Sequence, residues 1–262
     1  MIRGLWVLGS GAALTLVLAS RVVFANWFAK KRLSCLCERL PRVWAGWFLR
    51  RAGVKVEVEG EERVDWSQPL VIVANHQSWF DVFALAAHLP VLGRFVAKEE
   101  LARIPVFGPA WQACGHVAID RSNREQATES LDRAGRHIRD GRLAVILFAE
   151  GTRSPDGRLQ PFKKGAFVLA IKTGVPVVPV GISGSRQVMP KGSFRIRPGE
   201  IRIRIGEPIS VEGLRHQDRD RFRVRCRDAV VDLMEDEDAV TGRPGGARPP
   251  TRLNAHEQRD GE

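Results

Sequence analysis

The sequence lacks the cysteine and histidine spacings that mark a metal site. Its four cysteines, Cys35, Cys37, Cys114 and Cys226, form no CxxC pair and have no His-rich spacing around them. We therefore expect free thiols in a reducing compartment. The apolar surroundings of Cys114 raise the hypothesis of a nucleophile. A small buried side chain is the alternative, because the sequence places no base beside it.

Acidic residues are nearly absent from the first 55 positions, which hold ten basic side chains and one acidic one, Glu38. This region therefore carries most of the chain's formal net charge of +11. A positive excess indicates an anionic partner. Nucleic acid does not fit this distribution, because the charge lies beside an apolar helix with tryptophans and no motif that reads a nucleic-acid groove is evident.

Charge is also missing from residues 4–20, a run of 17 positions. As a helix this run reaches about 25 Å, slightly less than a hydrocarbon layer of ~30 Å, and residues 22–29 extend it. A cleaved signal peptide is the alternative, with Arg3 as its basic start and Ala19-Ser20 as its small-residue end. The renewed apolar run and the basic stretch after it favour a helix that is retained.

The next stretch, residues 30–51, mixes cations with Trp44, Trp47 and Phe48. Tryptophan beside lysine and arginine is typical of the headgroup layer of an anionic membrane. A solvated basic helix whose aromatic side chains dock on the protein core is the alternative. We predict that residues 1–53 form a two-helix membrane-associating module. The basic cluster favours keeping the rest of the protein on the cytoplasmic side.

From residue 54 onward, short apolar runs alternate with helical stretches. The continuous apolar runs 70–74 and 143–148 suit strands inside a sheet that is covered on both faces. Alternation with helices indicates an α/β fold over residues 54–234, with a mixed, largely parallel sheet and flanking helices. The predicted strands are residues 54–59, 70–74, 95–98, 116–120, 143–148 and 177–182, followed by a hairpin that pairs residues 194–197 with 201–205 across Pro198-Gly199.

A charged helix and a polar tail complete this outline. Ala127, Leu131, Ala134 and Ile138 follow helical spacing in a segment that is otherwise full of charge. Residues 235–262 begin acidic and continue rich in glycine, proline and arginine, with few apolar side chains. Such a composition cannot bury a core, so we predict a disordered tail.

The first chemical pattern follows the predicted strand 70–74. His76 and Asp81 are five positions apart, and in one continuous helix they would point about 140° away from each other. They can meet only if His76 lies in the turn before a helix, with Ser78 as N-cap and Asp81 reaching back from the first turn. A histidine held by a carboxylate can take the proton of a substrate hydroxyl, without a serine nucleophile. The alternative for Asp81 is helix capping alone.

A second pattern follows the predicted strand 143–148. Gly151 lets the backbone turn closely around a ligand, and Arg153 offers the planar group that suits a phosphate. Glu150 is unexpected at an anion site, where it either holds Arg153 or contacts substrate hydroxyls. Lys163 adds a cation shortly afterwards. An ordinary polar loop with a surface arginine is the alternative.

Two further blocks are more typical of structure than of function when each is taken alone. Residues 115–121 place Arg121 just past a short strand. Residues 175–180 bracket another strand with prolines, which restrict its edges.

Together, the four blocks resemble the motifs of the glycerophospholipid acyltransferase family, and most closely those of the bacterial 1-acylglycerol-3-phosphate acyltransferases. They read HxxxxD from His76, GxxxIDR from Gly115, FxEGTRS from Phe148 and VPVVPV from Val175. The resemblance covers roughly residues 54–210. One departure is Ala149, where the family usually has proline, and the loss of a φ constraint is expected to loosen this loop.

The resemblance implies roles for individual residues. His76 is expected to be the general base and Asp81 the residue that orients it. The proline-bracketed strand is expected to shape the site of the acyl donor or the acyl chain. The residues expected to bind the phosphate-bearing acceptor are Gly115, Arg121, Glu150, Gly151, Thr152, Arg153 and Lys163.

The expected reaction transfers an acyl group from acyl-CoA or acyl carrier protein to the free sn-2 hydroxyl of 1-acylglycerol-3-phosphate, giving phosphatidate for phospholipid synthesis. No metal and no organic cofactor is implied. The expected partners are membrane lipids, lysophosphatidate and the acyl thioester, at the cytoplasmic face of a bacterial inner membrane.

Three alternatives stay open. The first is transfer to lyso-ornithine lipid or lysophosphatidylethanolamine, and the second is thioester hydrolysis by the same His76–Asp81 pair. The third is a lipid-binding protein with a decayed site, for which Ala149 is the main support.

Overall fold

Long helices come first along the chain, and strands alternate with helices after them. The computed structural model describes residues 2–91, 93–120, 124–141 and 144–234, so the predicted disordered tail lies outside the described residues. The helices are α1 (Ile2–Phe28), α2 (Lys30–Ala52), α3 (Trp79–His88), α4 (Glu99–Ala102), α5 (Phe107–Ala113), α6 (Arg124–Gly141), α7 (Gly165–Thr173), α8 (Ser185–Val188) and α9 (Arg219–Leu233). The strands are β1 (Val54–Glu59), β2 (Leu70–Ala74), β3 (Gly93–Lys98), β4 (Val117–Ile119), β5 (Ala144–Phe148), β6 (Val177–Ser183) and β7 (Gly199–Ile205).

The strands form one sheet in the order β1-β7-β6-β2-β5-β3-β4. β6, β2, β5, β3 and β4 run parallel to one another. β7 runs antiparallel to β6, and β1 runs parallel to β7. The predicted α/β fold with a mixed, largely parallel sheet is confirmed. Because β2 and β5 are parallel neighbours, the segments that follow them emerge at the same edge of the sheet, which is where open α/β sheets bind ligands.

Both faces of the sheet are covered, which explains the continuous apolar runs. Every residue of β2 is buried. Ile72 packs in the cluster that includes α2 and α3, whereas Val73 packs in the cluster that includes α6, α7 and α9. Ala134 and Ile138 of α6 are fully buried, as their helical spacing predicts.

The predicted hairpin is wrong. β7 begins at Gly199 and has β6 on one side and β1 on the other, so neither of its edges is free to pair with residues 194–197. That segment is a loop between α8 and β7, in which Ile196 is buried and the N–H of Arg197 donates to the carbonyl of Val188 at 2.9 Å. The other predicted strands are present, with ends shifted by at most two residues among the described positions.

α1 and α2 form a helical pair with only Ala29 between them. Among the described residues, one helix, Arg3–Phe28, is long and apolar enough to cross a membrane, with a mean hydropathy of 1.8. Its inner face is buried on the protein, whereas its outer face exposes large apolar side chains, which is compatible with membrane association. Trp44 and Phe48 of α2 pack on Phe83 of α3, with ring centroids 5.0 and 4.4 Å away, so these aromatic side chains dock on the core.

The expectation of four free thiols is also wrong. Cys37 of α2 and Cys114, which follows α5, form a disulfide. This excludes a nucleophilic role for Cys114 while the bond is intact. The sequence could not show the pairing, because the two cysteines are 77 positions apart and meet only when the helical pair packs against α5. Cys35 and Cys226 are free, the first exposed and the second buried.

Candidate active site

Asn75 directly follows β2 and directs the next residue out of the sheet. Its buried side chain donates to the carbonyl of Ile182 at 2.8 Å and accepts from the N–H of the same residue at 2.7 Å. The side chain thus takes the place of the backbone pairing that β2 would otherwise continue with β6. His76 therefore leaves the sheet just past the carboxyl end of β2.

His76 and Asp81 meet, as the sequence predicts. Nδ1 of His76 lies 2.7 Å from Oδ2 of Asp81, whose side chain is completely buried. An ionised carboxylate only accepts, so Nδ1 carries the hydrogen and Nε2 is left as the basic nitrogen. The imidazole ring stacks on Phe148 at the end of β5, with centroids 3.9 Å apart. Tautomer and ring orientation are therefore both fixed by neighbours.

The same carboxylate caps α3. Oδ2 of Asp81 accepts from the backbone N–H groups of Gln77 at 2.7 Å and Ser78 at 2.8 Å. The hydroxyl of Ser78 accepts from the N–H of Phe80 at 3.2 Å, which completes the predicted capping box. The same oxygen of Asp81 therefore both caps α3 and holds the ring of His76.

The loop after β5 is hydrogen-bonded onto the His76 segment. The N–H of Ser154 donates to the carbonyl of His76 at 2.7 Å, and the N–H of Ala149 donates to the carbonyl of Ala74 at 3.2 Å. Gly151 has a φ of 78°, a left-handed conformation that glycine adopts without the strain of a Cβ. Two separate sequence blocks therefore form one rigid unit.

Glu150 lies inside this unit, with only 2% of its surface exposed. One carboxylate oxygen accepts from the N–H of His76 at 2.6 Å, and the other accepts from the N–H of Gln160 at 2.8 Å. Burial raises the pKa of Glu150 to about 8, against the opposing effect of the two backbone hydrogen bonds. Both oxygens thus hold backbone, which makes Glu150 a positioning residue for His76.

Ala149 does not loosen the loop in the way its replacement of a proline suggests. It is buried, and its N–H makes the hydrogen bond to Ala74 that a proline could not make. Its carbonyl accepts from the N–H of Lys163 at 2.6 Å. The loss of a fixed φ is therefore offset by a hydrogen bond to β2.

Arg153 and Lys191 bring positive charge to this edge of the sheet. The guanidinium of Arg153 lies 5.3 Å from the ring centre of Trp79, the first residue of α3. Partial burial lowers the pKa of Arg153, and the nearby charge of Asp81 opposes that shift. Nζ of Lys191 donates to the carbonyl of Arg153 at 2.8 Å and lies 3.4 Å from the hydroxyl of Thr152. No local pattern in the sequence indicates Lys191, which comes from the loop before β7.

Gly115, a further predicted site residue, does not lie beside His76. Gly115 precedes β4, which is separated from β2 by β5 and β3. Its φ is 81°, and an added Cβ would approach Nε of Arg94 to 3.3 Å, so glycine is required there by conformation. The backbone of Lys163 braces the Ala149 loop, and its side chain is exposed. Arg121 lies outside the described residues.

The proline-bracketed strand is β6, and all seven of its residues are buried. It lies between β2 and β7, and it reaches the candidate site through the pairing of Ile182 with Asn75. Its visible contribution is to set where β2 ends.

Comparison with protein families matches residues 55–183 to the family described as Acyltransferase. A 1-acyl-sn-glycerol-3-phosphate acyltransferase of Limnanthes alba is 37% identical over 61% of this chain and 56% of its own length. The alpha form of the 1-acyl-sn-glycerol-3-phosphate acyltransferase of Bos taurus is 33% identical over 74% of this chain and 67% of its own length. The chain spans about half the length of the plant relatives that it matches, from 44% to 56%.

Among solved structures, the chain is similar to the 1-acyl-sn-glycerophosphate (LPA) acyltransferase PlsC from Thermotoga maritima. The TM-score is 0.71 at 28% sequence identity, and the match covers 87% of this chain and 92% of that one.

Proposed function

The chain belongs to the acyltransferase family, and on that premise we propose that it is an O-acyltransferase acting on the free sn-2 hydroxyl of 1-acylglycerol-3-phosphate. The donor is a thioester, acyl-CoA or acyl carrier protein, and the product is phosphatidate. The observation that carries this proposal is the His76–Asp81 pair. Nδ1 of His76 lies 2.7 Å from Oδ2 of Asp81, which leaves Nε2 to act as a base.

The proposed reaction needs no nucleophile from the protein. Nε2 of His76 takes the proton of the acceptor hydroxyl as that oxygen attacks the thioester carbonyl carbon. Asp81 stabilises the imidazolium that forms. When the tetrahedral intermediate collapses, the carbon–sulfur bond breaks and the leaving thiolate receives the proton from Nε2. General base catalysis of this kind typically contributes ~10²–10⁴-fold.

The proposed acceptor carries a phosphate, and the cations beside His76 suit it. Arg153 offers a planar guanidinium, and Lys191 adds an ammonium whose nitrogen lies 2.8 Å from the Arg153 carbonyl. Thr152 and Gly151 shape the same loop. Arg121, Gly115 and Lys163 remain proposed acceptor-binding residues on the family resemblance alone.

The proposed location is the cytoplasmic face of a bacterial inner membrane. It is supported by the apolar outer face of α1 and by the basic residues that follow that helix. The disulfide between Cys37 and Cys114 argues in the other direction, because such bonds are rare in a reducing cytosol. Labelling of the exposed Cys35 by a membrane-impermeant maleimide, in intact cells and in lysed cells, decides between the two faces.

The function is tested by acyl transfer with labelled acyl-CoA or acyl carrier protein, using membranes that carry the protein. Lysophosphatidate, lysophosphatidylethanolamine and lyso-ornithine lipid are offered separately. We expect phosphatidate from the wild type and none above background from His76→Ala, while His88→Ala, at the exposed end of α3, retains activity. Product from another lyso-lipid alone keeps the chemistry and refutes the acceptor, and free fatty acid without an acceptor indicates a hydrolase. No product from a folded protein indicates a lipid-binding role.

A further inference from the structure

Residues 189–198, between α8 and β7, form a loop that we call the Phe194 loop. Met189 and Ile196 are buried on the core at its two ends. The N–H of Ser193 donates to the carbonyl of Pro190 at 3.1 Å, and the hydroxyl of Ser193 accepts from the N–H of Arg195 at 3.0 Å. The loop is therefore fixed by its own hydrogen bonds and by two buried anchors.

This fixed loop presents an aromatic side chain to the outside. Phe194 is 76% exposed, the largest value among the exposed large apolar side chains in the described part of the chain. The ordered backbone holds this phenylalanine in water, so burying its ring against an apolar partner would lower the free energy.

The Phe194 loop continues the exposed apolar face of α1. An added Cβ at Gly4 would collide with the carbonyl oxygen of Phe194, so the start of α1 packs directly on the loop backbone. Leu5 and Trp6, next along α1, are 68% and 53% exposed. Further along the helix, the same outer face exposes Leu16, Val17, Phe24, Trp27 and Phe28.

The charge around Phe194 indicates which apolar partner fits. Residues 184–199 contain Arg186, Lys191, Arg195 and Arg197 and no acidic residue. Arg195 and Arg197 are exposed on either side of the buried Ile196. An aromatic side chain flanked by cations, continuous with an apolar helix face, matches a bilayer with anionic headgroups. A neutral protein groove would leave these cations without a complement.

The Phe194 loop also touches both halves of the candidate site. The carbonyl of Met189 accepts from the hydroxyl of Ser78, the N-cap of the helix that carries Asp81, at 2.7 Å. Nζ of Lys191 donates to the carbonyl of Arg153 at 2.8 Å. Met189 and Lys191, five and three positions before Phe194, thus contact the segment that carries the His–Asp pair and the loop that carries Arg153.

We propose that the Phe194 loop is a second membrane contact, separate in sequence from the helical pair, that inserts Phe194 into an anionic bilayer. Arg195 and Arg197 bind the lipid headgroups. This contact places the opening of the candidate site at the lipid surface. That consequence rests on the proposed function, because only a lipid acceptor requires it.

Insertion is measured on the full chain with Cys35→Ser as background, since that is the exposed free cysteine. Phe194→Cys, Leu16→Cys and Val224→Cys are each labelled with an environment-sensitive fluorophore and mixed with phosphatidylglycerol–phosphatidylcholine vesicles that contain nitroxide lipid. Val224 is the matched control, because it is 49% exposed on α9, which packs on the other face of the sheet. Leu16 is the reference on α1.

We expect the label at position 194 to lose about half of its fluorescence, as at position 16, because interfacial segments lie roughly 5–10 Å below the headgroups. The label at position 224 should keep its fluorescence. If position 194 behaves like position 224 while position 16 is quenched, the second contact is refuted. Absence of quenching at all three positions refutes both membrane contacts.

Acyl transfer gives an independent readout of the consequence for the site. Phe194→Ser should lower the rate on vesicles by about fivefold, since one inserted side chain is lost, and leave the rate with a water-soluble short-chain acceptor unchanged. Val224→Ser should change neither rate. An equal loss with both acceptors would refute the interfacial role. If no acceptor is acylated even by the wild type, the proposed function fails, and the quenching result still decides whether the loop inserts.

Discussion

Replacing Asp81 by asparagine separates the capping role of this carboxylate from its support of His76. Three donors converge on Oδ2: Nδ1 of His76 at 2.7 Å, the N–H of Gln77 at 2.7 Å and the N–H of Ser78 at 2.8 Å. In the variant, the amide oxygen of the asparagine should take the place of Oδ2, because its NH₂ group there would point a donor at the two backbone N–H donors. The variant therefore keeps the cap and the tautomer of His76 and loses the negative charge.

The size of the catalytic loss follows from this geometry. Two unit charges 2.7 Å apart interact by about 6 kcal/mol at an effective dielectric constant of 20. Part of that energy is offset by the cost of burying the charge, and a neutral hydrogen bond worth ~1 kcal/mol remains in the variant. We expect the transition state to lose about 2–4 kcal/mol, which is roughly a 30- to 900-fold decrease in kcat.

The loss of stability should be smaller for asparagine than for alanine. Oδ1 of Asp81 is buried and has no hydrogen-bond partner, so the NH₂ group of an asparagine replaces one unsatisfied atom by another. Asp81→Ala leaves two backbone N–H groups and a histidine without their acceptor, at about 1–3 kcal/mol for each unsatisfied group. Asp81→Asn should therefore fold with a Tm close to that of the wild type, and Asp81→Ala should not.

The assay compares initial rates of phosphatidate formation for the wild type, Asp81→Asn and His76→Ala, together with thermal unfolding in the same detergent. We expect Asp81→Asn to lie between the other two. A wild-type rate in the folded Asp81→Asn variant would mean that Asp81 is only a helix cap. A rate as low as that of His76→Ala, at an unchanged Tm, would show that the three converging donors do not preserve the tautomer, and would refute the reasoning.

The other predictions concern acceptor binding, pH and the disulfide. Arg153→Ala should raise the acceptor KM by about 10- to 100-fold, the value of a charge-assisted hydrogen bond, and leave the donor KM nearly unchanged; equal effects on both would contradict a phosphate role. Burial raises the pKa of Glu150 from 4.5 to about 8, so the folded protein binds a proton that the unfolded chain releases, and stability should fall as pH rises between those values. Glu150→Gln should remove that slope, of up to about 1.4 kcal/mol per pH unit in urea unfolding, whereas the exposed control Glu62→Gln should keep it. Loss of the disulfide by Cys37→Ser, which opens a loop of 77 residues, should cost about 4 kcal/mol and lower the Tm by roughly 10 °C; an unchanged Tm would show that the bond adds nothing to the packing of the helical pair on α5.

The pattern of the sequence was sufficient to predict the strands that have a strictly local cause. β1 and β2 have the predicted limits, because an alternating run and a continuous apolar run each state which faces are buried. The capping box was also predictable, since Ser78 and Asp81 act within one helical turn. The hairpin was not predictable in the same way, because a local pattern does not reveal the competing partners of β7. These partners, β1 and β6, come from distant parts of the chain.

The role of Glu150 shows the same limit at the candidate site. Its position in the EGTR block indicated a substrate contact or a partner for Arg153, yet its oxygens hold the backbones of His76 and Gln160. The contact with His76 joins residues 74 positions apart. No periodicity reports such a contact, because it depends on β2 and β5 being neighbours.

By itself, the sequence determined the α/β alternation, the His76–Asp81 pair and the family resemblance, since each depends on spacings within one element or one turn. The tertiary structure alone decided that Cys37 pairs with Cys114, that Lys191 reaches the Arg153 loop, and that Phe194 extends the outer face of α1. These contacts join segments that are distant along the chain. Their formation depends on the order of strands in the sheet and on the packing of the helical pair, which no local pattern encodes.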